Sequence, residues 1–168
     1  MSTISTNELA FTPSPETPSY WMAGDRITVL MGGERTDGQY AAVVIYTVPG
    51  GGPPPHIHHD CSEMFFVFDG ELTVVIDGQL HLLRAGACAH IPKGAVHSFK
   101  NTGSVPARHL VVISPAGLEG FFKAAGVPTA YSDNNPPPVT QETIDRMRAR
   151  AMEFQMELVA PDTSTAAG

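Results

Sequence analysis

The sequence predicts an all-β domain, an antiparallel sandwich or barrel with helix confined to its C-terminal end. Three observations carry this expectation. Between positions 26 and 113, about eight short runs rich in β-branched and aromatic residues follow one another. Gly and Asp-Gly punctuation separates them, and no helical period interrupts them. The chain has 168 residues and no second copy of this unit, which leaves room for one barrel with a real core.

Residues 1–19 are polar and broken by Pro13, Pro15 and Pro18, and read as an arm. From Tyr20 and Trp21 the barrel region begins, spanning 20–115. Runs 26–31 and 40–48 flank a Gly-rich turn and read as strands. The segment 50–55 carries three prolines, which remove backbone donors and exclude either regular element. Runs 63–68, 72–76 and 79–83 follow, separated by Asp69-Gly70 and Asp77-Gly78. Asp-Gly tolerates the positive φ of tight turns, so both pairs predict hairpins. Runs 87–91, 96–99 and 107–113 complete the series.

A helical extension is expected over 116–160, with a frayed tail at 161–168. Ser114 as N-cap and Pro115 at the first position predict a short helix that stops at Gly126. After Pro136–Pro138, the spacing of Ile144, Met147, Ala151, Phe154 and Leu158 predicts one helix over 140–158 with a single apolar stripe. Runs 41–48 and 63–68 are apolar on both faces, so one face lines the barrel and the other needs cover. A homodimer through sheet faces is the expected cover, with the N-terminal arm and C-terminal helix as the alternative.

Composition excludes several function classes. The formal charge is −7 and the ten Lys and Arg form no cluster, which argues against nucleic acid as a partner. No apolar run approaches the ~20 residues that span a bilayer. The first twenty residues hold no Lys or Arg and no apolar core of a secretory signal, so a cytoplasmic location is expected. Cys61 and Cys88 then read as reduced thiols, Cys61 as a small filler near the site.

Chemistry concentrates in two stretches. The first is G-x5-H-x-H-x4-E-x6-G, from Gly50 through His56, His58 and Glu63 to Gly70. The second is G-x5-P-x-G-x2-H-x3-N, from Gly86 through Pro92, Gly94 and His97 to Asn101. Residues two apart on an extended segment point the same way, so His56 and His58 can bind one ion together. Glu63 lies an odd number of positions further on and can join them only if 59–62 bend or bulge. His97 would close the set from a later hairpin. Imidazole with carboxylate suits a divalent first-row metal, and four protein ligands leave a position open for substrate. His59, His81 and His109 read as satisfied surface or core residues, and His90 as packing or pocket lining. Gly70, Gly86, Pro92 and Gly94 read as turn formers. The inward apolar positions Phe65, Val67, Ile91 and Phe99 are candidates for a water-poor substrate pocket.

Both strings resemble, position for position, the two signature motifs of the cupin superfamily, over roughly residues 40–115. The resemblance implies a small antiparallel jelly-roll barrel. Pro18-Ser19-Tyr20-Trp21, the run from Gly50 to His59, and Ser114-Pro115-Ala116-Gly117 before Glu119-Gly120-Phe121-Phe122 are similar to single-domain cupins of the quercetin 2,3-dioxygenase-like type. That resemblance implies dioxygen-dependent cleavage of a flavonol or a similar hydroxylated aromatic or enol. His56, His58, Glu63 and His97 would hold Ni, Co, Mn, Fe, Cu or Zn, and Glu63 would double as general base. The same scaffold also serves oxygen-independent isomerases, cyclases, decarboxylases and dehydratases, and cupins that only bind a small ligand.

Overall fold

The computed structural model describes residues 13–159. Most of the expected arm and all of the expected tail lie outside the described residues. Twelve strands run in chain order: β1 (Ser19–Met22), β2 (Asp25–Met31), β3 (Ala41–Thr47), β4 (His56–His58), β5 (Ser62–Asp69), β6 (Glu71–Ile76), β7 (Gln79–Arg84), β8 (Cys88–Ile91), β9 (His97–Lys100), β10 (Ala107–Ser114), β11 (Val127–Thr129) and β12 (Met156–Leu158). Two helices, α1 (Glu119–Ala125) and α2 (Gln141–Ala151), fall near the C-terminal end.

The strands form two antiparallel sheets, a seven-stranded one ordered β11-β1-β2-β3-β10-β5-β8 and a five-stranded one ordered β12-β4-β9-β6-β7. Alternation in the sequence sets which side faces in. Along β3, Ala41, Val43, Ile45 and Thr47 are buried while the residues between them are half-exposed. Along β10, Ala107, His109, Val111 and Ile113 are buried in the same way. The larger sheet supplies Val43, Phe65 and Val111, and the smaller one Leu72, Val74 and Phe99, to one shared core. Each such large side chain contributes about 1.5–3 kcal/mol by leaving water.

Three expectations need correction. Asp77-Gly78 does turn a hairpin, β6–β7, with both residues at positive φ (46° and 81°). Asp69-Gly70 does not: β5 and β6 belong to different sheets, and Gly70 turns the corner between them. A Cβ there would stand 2.8 Å from the Ala107 Cα, so close backbone packing, not a ladder, selects glycine. The first helix begins at Glu119 rather than after Ser114, whose hydroxyl donates to the Gln39 carbonyl instead of capping a helix. Its start is held instead by the Glu119 carboxylate, which accepts from the amides of Gly33 and Gly117.

The longest correction concerns the expected helix over 140–158. Thr140 caps α2 as its sequence suggests, its hydroxyl accepting from the Thr143 amide. The helix stops at Ala151, however, and passes through a 3-10 turn (Met152–Phe154) and Gln155 at φ 52° into β12. There Met156 pairs with His58 and Leu158 with His56. The β4 edge would otherwise carry unpaired backbone groups, and pairing them outweighs the helical period. Met147 and Ala151 are buried, and the Phe154 ring packs 6.0 Å from Phe121. The segment therefore reaches the barrel interior rather than the outer face of the larger sheet, where Met64 and Phe68 remain exposed.

Candidate metal centre

The Gly-Pro run places the first two donors. Gly52 has φ 133°, and a Cβ on it would stand 2.0 Å from the Phe99 carbonyl oxygen. Only glycine lets the loop lie this close to β9. The Gly50 amide donates to the Asn101 carbonyl and the Asn101 amide to that of Gly51. The Asn101 side chain clamps the same corner, donating to the carbonyls of Thr47 and Val105. The chain then enters β4, where His56 and His58 are buried and Ile57 between them is half-exposed.

Glu63 reaches the same point by a route the sequence does not reveal. His59 and Asp60 bend the chain, with buried Cys61 filling the corner, out of the smaller sheet and into the larger. Glu63 thus projects from the opposite wall, and the parity problem is solved by a change of sheet. His97 pairs with His56 across β9–β4. The donor atoms of His56, His58, Glu63 and His97 all lie within 4.8 Å of one another, and all four residues are buried.

Electrostatics fit a cation at the centre. The His56 Nδ1 lies 2.9 Å from the Pro54 carbonyl, which orients the ring and leaves Nε2 as a lone pair. Burial, then His97 and His58, lower the His56 pKa to about 3, so this ring is neutral. The His97 Nδ1 lies 3.1 Å from the Ala95 carbonyl and its Nε2 3.1 Å from Glu63 Oε2. The His97 ring thus has a carbonyl at one nitrogen and the Glu63 carboxylate at the other. His58 Nε2 stands 3.5 Å from the same carboxylate oxygen. Burial alone would raise the Glu63 pKa, but hydrogen bonds and charge from His58 and His97 outweigh it and hold the carboxylate ionised. An anion, a lone pair and two more imidazoles around one point are a donor set for a divalent first-row metal.

His56, His58 and Glu63 open on a cavity of about 60 Å3 walled by Ile27, Phe65, Phe99, Phe121, Met147 and other apolar side chains. Of the four expected pocket residues, Phe65 and Phe99 line it; Val67 and Ile91 are packed elsewhere in the core. Lining from Phe121, Phe122, Met147 and Met156 comes from the C-terminal segment, and no local pattern could have assigned it. A larger groove of about 740 Å3 adjoins and shares Ala23, Pro53, Phe99, Met147 and Leu158 with the cavity.

Two buried polar residues stand outside the expected set. Asp25 lines the cavity at 3% exposure, its Oδ1 without a hydrogen-bond partner among the described residues. Burial raises its pKa to about 8, slightly offset by the neighbouring Thr47 hydroxyl. Nothing in the sequence around it marks it as inward. His109 is fully buried against Phe65 and Phe99, with neither ring nitrogen bonded among the described residues. It is core as expected, but not satisfied. His59 is exposed beside Glu157, and His81 and His90 are exposed. His90 therefore does not pack at the site.

The fold and the four-donor centre define a cupin-type barrel, and the comparisons agree. Residues 43–113 match the family model described as Cupin domain. Quercetin 2,3-dioxygenase of Bacillus subtilis is 27% identical over 135 residues, covering 80% of this chain and 39% of that protein. Oxalate oxidase GF-2.8 of Triticum aestivum is 34% identical over 117 residues, 63% of this chain and 50% of that one. The chain thus spans half or less of the length of these two curated relatives. An RmlC-like cupin from Shewanella frigidimarina shares the fold, with a TM-score of 0.56, 22% identity, and coverage of 66% and 94%. The described residues include no helix long and apolar enough to cross a membrane.

Proposed function

We propose that the protein is a metal-dependent dioxygenase acting on a flavonol or a similar hydroxylated aromatic or enol. One observation carries the reading: of four convergent donors, His56, His58 and Glu63 open onto a cavity whose wall is apolar apart from Asp25 and holds no Lys or Arg. A small dianion such as oxalate would find no counter-charge on that wall, whereas an aromatic ring finds Phe65, Phe99 and Phe121. The cavity has room for only a few water-sized groups, so the reacting end of a flavonol would enter it. The rest would lie in the adjoining groove.

His56, His58, Glu63 and His97 would hold the ion, which supplies a Lewis acid and a site for dioxygen. Glu63 takes the proton from the substrate hydroxyl. Its low basicity here comes from His58 and His97, and it rises once those nitrogens turn away from it. Apolar walls keep water from competing for the reactive substrate. Dioxygen uptake and carbon monoxide release with quercetin, in proportion to bound metal, are the expected results. Turnover of a substrate without oxygen would replace dioxygenation by Lewis-acid chemistry, and tight binding without product would leave a ligand-binding protein.

A homodimer through the outer face of the larger sheet belongs to the same reading. Met64 and Phe68 are exposed there, with Phe66, Leu110 and Val112 half-exposed beside them. A dimer in light scattering that Phe68→Glu converts to a monomer is the expected outcome; an unchanged mass overturns it.

A further inference from the structure

Beyond the four donors, the cavity holds one more carboxyl among the described residues, Asp25. It sits at the start of β2, directly after the Ala23-Gly24 turn, in register with Thr47 on β3. The position is inward, and the side chain is nearly as buried as the core around it. Oδ1 has no hydrogen-bond partner among the described residues, and neither does the Thr47 hydroxyl beside it. Among the described residues, no hydrogen bond or ion pair ties Asp25 to His56, His58, Glu63 or His97. A buried carboxyl with an oxygen left unbonded opposes folding, and an apolar side chain of similar size would suit the position better.

We propose that Asp25 is a substrate-binding residue: it hydrogen-bonds a second hydroxyl, inside the same cavity, of a mostly apolar substrate whose reacting oxygen sits at the His56–His58–Glu63–His97 cluster. The inference rests on the proposed pocket and narrows its substrate to a molecule with two separated oxygen functions. A low-dielectric wall makes a single such contact selective, because an analogue lacking that second hydroxyl leaves the carboxyl unpaired. At neutral pH the carboxyl is a neutral acid with one O–H to donate, consistent with a pKa near 8. Asn can replace that donor; Leu cannot.

The test compares the metal-loaded wild type with Asp25→Asn and Asp25→Leu in anaerobic titration calorimetry, with Asp25→Ala as a second non-donor. The probes are quercetin and 3-hydroxyflavone, which keeps the reacting hydroxyl and ketone but lacks the hydroxyl that flanks the ketone on its other side. The wild type should prefer quercetin. Asp25→Leu and Asp25→Ala should lose about tenfold for quercetin and little for 3-hydroxyflavone, and Asp25→Asn should stay within about threefold of wild type for both. Metal content and melting temperature, read alongside, should not fall in the variants. Equal quercetin affinity in all four proteins, or equal losses for both probes, overturns the role of Asp25 and leaves the dioxygenase reading standing. A wild type that holds metal but binds neither probe overturns both.

Discussion

His97 Nε2 lies 3.1 Å from Glu63 Oε2, although 34 positions and two different sheets separate the residues. The contact joins the two walls of the barrel, and removing either partner tests a different property.

Glu63→Gln keeps the volume and removes the charge and the base. Turnover should fall by at least about 100-fold while part of the metal is retained. Rate measurement with elemental analysis checks this, and undiminished turnover removes Glu63 from the base role.

His97→Ala removes a donor without touching the strand pattern. Metal affinity should fall by more than the ~10–100-fold typical of losing an outer-shell partner, with a smaller effect on folding. Competition with a chelator and a thermal melt give the two numbers. A melt that collapses while metal binding persists would mark His97 as structural.

Gly52→Ala forces a Cβ to 2.0 Å from the Phe99 carbonyl oxygen at φ 133°. Destabilisation of at least about 2 kcal/mol is expected in urea unfolding, with loss of metal as the loop before His56 moves. Gly50→Ala, with nothing near its Cβ, separates the clash from the positive φ it also carries.

Asp25 and His109 pull stability in opposite directions with pH. The Asp25 carboxyl titrates at about 8 in the fold and about 3.9 unfolded. Between these values the native state holds a proton that the unfolded state lacks, so Asp25 makes stability fall as pH rises, by up to ~1.4 kcal/mol per pH unit. Asp25→Asn should therefore gain on wild type between pH 5 and pH 7.5 in urea unfolding. A constant difference would show that burial does not hold the proton.

His109 is the reverse case. Burial lowers its pKa to about 3, partly offset by the Glu63 charge, against about 6.5 unfolded. Between those values the unfolded state binds the extra proton, so this residue makes stability fall as pH drops. Its two unbonded ring nitrogens add to the cost. His109→Leu should stabilise by about 1–3 kcal/mol at pH 5 and by less at pH 8. Destabilisation at both would mean that the imidazole finds a partner.

Much of this protein was legible in its residues. Period-2 alternation along β3 and β10, the Asp77-Gly78 turn and the Thr140 cap are local, and local sterics and hydrogen bonding decide them. The two spaced motifs marked His56, His58, Glu63 and His97, because donors with that chemistry at those intervals have few other uses. Only the tertiary structure decided what depends on pairing between distant segments. Asp69-Gly70 turns a corner between sheets rather than a hairpin, and Glu63 faces the histidines by crossing from one sheet to the other. The end of the expected helix becomes β12 because the β4 edge needs hydrogen-bond partners. Asp25 faces the cavity for the same kind of reason: strand register sets a side chain's direction, and register is a property of the neighbour as much as of the chain itself.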